Sequence, residues 1–164
     1  MTQFFHEYAA FNLWASQRIC SVLEKISDEQ FEREVMSSFP SIRKTTLHVW
    51  GANQVWIKRT EGISLRSMPT ENFNGTRMDI LNGFIESCQR LIEVCESQSE
   101  ESLLGELKYS NLKGENFSSS LYHIFAHVFN HATYHRGQLV TMLRQVGVIE
   151  IPSTDFTTFY REKK

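Results

Sequence analysis

Cysteine and proline are scarce in this chain, three of each in 164 residues, and no long apolar run interrupts it. Cys20, Cys88 and Cys95 form no CxxC pair, and their odd number argues against a disulfide framework. The opening stretch MTQFFHEYAAFNLWASQ lacks the basic and unbroken apolar regions of a secretory signal, and no later window approaches the roughly 20 apolar residues of a membrane span. A reducing cytoplasm is the expected compartment, with no membrane partner. Charge of either sign is also lacking in excess. A formal net charge of −2 gives no general electrostatic reason to bind nucleic acid. Missing too are the HExxH of a zincin helix and the Glu-x-x-His pairs of a di-iron bundle, so the carboxylates that two irons require are not there.

What is present is the composition of a soluble globular protein, 41% hydrophobic and 22% charged, at a length suited to one domain covering residues 1–164. Four segments carry helical periodicity. The first spans about Gln3 to Leu23, with Phe4, Tyr8, Phe11, Ile19 and Val22 as its apolar face. The second starts after Pro40, with Ser41 as N-cap, and reaches about Arg59; Ile42, Val49 and Trp56 mark its face. The third runs from about Thr76 to Glu96, and its Cys88 and Cys95 fall on the core stripe. The fourth begins near Ser118 or Ser119 and continues to about Val146, where Gly147 suits the C-terminal cap. Before it, ELKYSNLKGENFS predicts a short hairpin or extended crossover between Glu106 and Ser118, and the tail after Pro152 predicts one more short helix. The fold class is therefore all-α, a four-helix bundle with long crossover connections.

Four of the six histidines recur at every fourth position of the last long helix: His123, His127, His131 and His135. Residues four apart drift by about 40° around a helix, so the set cannot face one point. Leu121, Phe125, Val128, Ala132, Leu139, Leu143 and Val146 define the core face; His135 lies close to it and His131 at its edge. His123 and His127 turn progressively towards solvent. Two imidazoles at i and i+4 near a core need hydrogen-bond partners or a metal, so spacing favours His131 and His135 as ligands over polar residues merely tolerated there. A third ligand is needed for a catalytic ion. His48 is the better candidate, being inside the second helix with small Ala52 one turn on, whereas His6 reads as structural.

Taken together, FNLWASQRI, SIRKTTLHVWGANQVWIKR, FNHATYHRGQL and PSTDF resemble the DinB/YfiT-like family of metal-binding four-helix bundles along most of the chain. The resemblance implies one divalent ion, zinc or nickel, held by His48, His131 and His135, and assembly as a homodimer. The first motif departs from the family in carrying Ser16 where a second Asn is common; Arg136, Gly137 and Gln138 match it. Gly137 is expected to permit close helix packing, and Arg136 to pair with an acid or order a neighbouring element. Relatives in the superfamily include thiol-dependent transferases and isomerases. The expected function is a divalent-metal-dependent enzyme that activates a small thiol for transfer to an electrophile. Metal-dependent hydrolysis and a non-catalytic metal-binding stress-response module are the alternatives.

Overall fold

The structure, a computed structural model, describes residues 1–163. Its elements in chain order are α1 (Thr2–Leu23), α2 (Asp28–Glu32), α3 (Ile42–Thr60), α4 (Arg77–Glu96), α5 (Glu100–Leu104), β1 (Glu106–Ser110), β2 (Asn116–Ser120), α6 (Leu121–Gln145) and α7 (Phe156–Glu162). The four long helices close a ring in which α1 and α3 each pack against both α4 and α6. No helix among the described residues is long and apolar enough to cross a membrane.

Local chemistry sets the boundaries. The Ser41 hydroxyl accepts from the Lys44 amide at the start of α3, and Thr76 exchanges backbone and side-chain hydrogen bonds with Asp79 at the start of α4. At the far end of α6, Gly147 has φ +95°, a left-handed conformation that a side chain would strain. The hairpin pairs Glu106 with Ser120 and Ser110 with Asn116, so β2 takes the two serines at which the sequence starts its fourth helix, and α6 begins at Leu121 instead. Two short helices also fall where only connections are expected. SDEQ forms a capping box between Ser27 and Gln30 that starts α2, and the Ser99 hydroxyl caps α5.

The core has two large apolar clusters and a small third one in which Phe11 and Ala15 of α1 meet Phe159 of α7. Of the large ones, one gathers Ile19, Leu23, Ile42, Leu81, Phe84, Leu139 and Leu143; the other gathers Phe5, Ile57, Leu91, Phe125 and Phe129. Phe5, not Phe4, is the inward residue of the first turn: Phe4 is 53% exposed. Between the large clusters lies a buried polar layer. Asn12 accepts from Arg136 and approaches the Cys88 sulfur, while Asn53 donates to Ser87. Arg136 thus pairs with an amide and the Thr133 hydroxyl, not with an acid, and burial pulls its pKa down to about 10. Burial pushes the Cys88 thiol up to about 11 and that of Cys95 up to about 12, so both are inert core residues.

Candidate metal centre

On the face where α3 meets α6, three imidazoles converge. Polar and partly buried, His48 projects from α3 towards the i,i+4 pair His131 and His135 of α6, with His135 only 5% exposed. One nitrogen from each ring lies within 4.8 Å of the other two. His131 Nε2 is 3.2 Å from His48 Nε2 and 3.0 Å from His135 Nε2. Phe39, from the connection before α3, stacks on His48 at a centroid distance of 4.3 Å and reaches His135 at 5.8 Å.

Electrostatics keep the rings uncharged. Burial drives His48 and His131 down to about 4, with the neighbouring His135 adding to both shifts. Burial lowers His135 as well, opposed by a hydrogen bond to Gln138. That bond joins His135 Nδ1 to Gln138 Oε1 at 2.7 Å, while Gln138 Nε2 donates to the Ser38 hydroxyl and to Tyr134. With the amide oriented this way, Nδ1 of His135 carries the proton and its Nε2 presents a lone pair to the cluster.

The donor set fits a divalent cation. An imidazole nitrogen is either an N–H or a lone pair, so two short contacts on His131 Nε2 are not both served by ordinary hydrogen bonds. A cation satisfies all three lone pairs at once. Nitrogens about 2.0–2.1 Å from a tetrahedral zinc lie roughly 3.3 Å apart, close to the separations between these rings. Among the described residues no fourth Cys, His, Asp or Glu joins the group. Beside His48 opens a cavity of about 520 Å³ lined by Phe39, Lys44, Arg66, Met68 and Leu112.

The structure thus brings together the three histidines that spacing and resemblance single out. His123 and His127 are exposed, as the drift around the helix predicts, although the His127 ring still lies 5.8 Å from that of His131. His6 contacts the Cys95 carbonyl, a structural role. Gly137 does not serve close packing: a Cβ built there meets nothing within 4 Å. Sequence reasoning left Gln138 without a role and missed Phe39. The i,i+3 spacing from His135 to Gln138 was a usable signal, because those positions meet on a helix surface; nothing local marks Phe39, which arrives through the path of a loop.

Fold and site together define a four-helix bundle with an inward three-histidine cluster that could hold a metal ion. The chain belongs to the DinB family, whose model matches residues 1–163. It is 29% identical over 163 residues to Protein DinB of Bacillus subtilis (strain 168), covering 95% of this chain and 93% of that protein. Two solved structures share the fold at 17% identity. A DinB-like protein (YjoA) from Bacillus subtilis superposes with a TM-score of 0.67, covering 90% of this chain and 97% of its own. Another from Bacillus cereus superposes with a TM-score of 0.64, covering 85% and 89%.

Proposed function

We propose that the protein is a divalent-metal-dependent enzyme that uses His48, His131 and His135 as ligands and activates a small thiol for transfer to an electrophile. The observation that carries this reading is the convergence of three neutral imidazole nitrogens with no fourth His, Cys, Asp or Glu in the group among the described residues. A divalent ion there would keep its full charge and an open position, lowering the pKa of a bound thiol or water enough to give a nucleophile at neutral pH.

The chain's own residues supply orientation and shelter. Gln138 holds the His135 tautomer, and Phe39 covers one face of His48. The adjoining cavity has an apolar wall and room for a small electrophile. Among the described residues no carboxylate stands in the cluster to act as a general base, which favours a thiol, whose own proton leaves readily, over hydrolysis. The family resemblance supports zinc or nickel as the ion and a homodimer as the assembly; elemental analysis and light scattering check these two points.

The test is to load the protein with cobalt and titrate it with cellular thiols, following thiolate-to-metal charge transfer, then to assay conjugation of a test electrophile. The proposal expects turnover to need both metal and thiol, to vanish in His131→Ala and His135→Ala, and to survive in His123→Ala. Hydrolysis of an ester without thiol, or an ion held with no exchangeable position, would turn the reading to a hydrolase or a non-catalytic module.

A further inference from the structure

Exposure falls in steps along the histidine row of α6. His123 and His127 are exposed, His131 is half-buried and His135 is buried. Only the last two belong to the three-histidine group, yet the His127 ring lies 5.8 Å from that of His131 at an interplanar angle of 33°. When two imidazoles share one ion at about 2.0–2.1 Å, their ring centroids stand roughly 5–6 Å apart. His127 and His131 are thus already at chelating distance. His123 does not extend the row, because its ring turns to Tyr122, 4.0 Å away between centroids.

Much of the rest of the centre is covered. Gln138, held by Ser38 and Tyr134, backs His135, and Phe39 stacks on His48. The cavity beside His48 is one approach, and the thiol-transfer reading gives it to substrate. The flank of His131 that borders the exposed His127 is another. Its chemistry suits passage more than residence. The His127 ring lies 5.3 Å from Trp56, and the Arg59 guanidinium packs on the same indole at 4.3 Å. A fixed cation so near repels a divalent ion, and two imidazoles hold one less firmly than three. Both effects favour the inner group, and His131 belongs to both sets.

The geometry points to His127 as the loading ligand of the metal centre: with His131 it captures an incoming divalent ion at the surface and yields it to His48 and His135. This rests on the three-histidine metal assignment in the proposed function and not on thiol transfer. Because His127 holds the ion only in passing, it speeds arrival and departure by the same factor. Affinity stays where the three inner histidines set it. His127 is then no spare member of the row but the outer end of a short path, which explains why an imidazole stands one turn before the ligand pair on an exposed face.

The experiment uses the full metal-free chain with cobalt(II) as the probe. Uptake is followed by stopped-flow absorption of the bound cobalt, and release by transfer to a chelator, extrapolated to zero chelator. His127→Ala and the bulkier His127→Gln should each slow uptake and release about tenfold, the cost of losing one member of a chelating pair, and keep Kd within about twofold. His123→Ala should match wild type. Unchanged rates in both His127 variants overturn the assignment and leave the cavity beside His48 as the entry. A Kd weakened tenfold or more with unchanged uptake also overturns it, since His127 would then hold the resident ion. Failure of the metal site itself reads differently: at equilibrium the wild-type protein would take up no stoichiometric cobalt, or the triple alanine variant of His48, His131 and His135 would keep it, and the loading role would fall with the site.

Discussion

Gln138 is the smallest unit on which the metal centre depends. Its amide accepts from His135 Nδ1–H and is itself held by Ser38 and Tyr134, so one side chain fixes both a tautomer and the loop carrying Phe39. Gln138→Ala should weaken metal binding about 10- to 100-fold in a chelator competition, the usual cost of losing the partner that orients a ligand, with little change in helical content. The histidines also give the metal-free protein a pH signature. Folded His48 and His131 take up protons only near pH 4, whereas an unfolded imidazole does so near 6.5. As pH falls through that window the unfolded chain gains protons the folded chain refuses, so stability is fully present above about 6.5 and is lost towards 4. Urea midpoints measured at pH 7.5 and 5 should show this loss, and His48→Gln with His131→Gln should flatten it. An equally steep decline in the double variant would place its source elsewhere.

Helices α3 and α6 carry the site, and α4 braces α3 from behind through a close approach at Gly83. A Cβ there would lie 2.3 Å from the Trp50 ring. Alanine normally gains about 1 kcal/mol over glycine within a helix, but a rigid indole does not yield that far, and overpacking costs about 1–3 kcal/mol. Gly83→Ala should therefore lower the denaturation midpoint.

The long helices were legible because each joins an apolar stripe to a local stop or start, such as Ser41 or Gly147. The His131 and His135 pair was legible for the same reason, since helical drift alone separates it from His123 and His127. Other features were not. Residues Ser118 to Ser120 accept either helix or strand, and pairing with Glu106 to Lys108 decides between them. Phe4 and Phe5 are chemically alike, and a shift of one position settles which is buried. Of the two roles expected for Arg136, pairing with an acid or ordering a neighbouring element, the structure shows the second: it donates to the Asn12 amide of α1, a partner far away in sequence.

At the scale of the whole molecule, the two large apolar clusters lie on either side of the polar layer and contain none of the three histidines, so the account expects them to pack without the ion. Chelation should lower the melting temperature, since a ligand at 100 times its Kd stabilises the folded state by about 2.7 kcal/mol, but it should leave far-ultraviolet circular dichroism at 25 °C unchanged. Loss of the helical signal on chelation would make the ion a structural element of the bundle. The most direct test of the central claim is the metal content of purified protein, by elemental analysis and titration, compared with the variant in which His48, His131 and His135 are all alanine. The account predicts one divalent ion per wild-type chain and none in the variant; undiminished stoichiometric binding in the variant would contradict it.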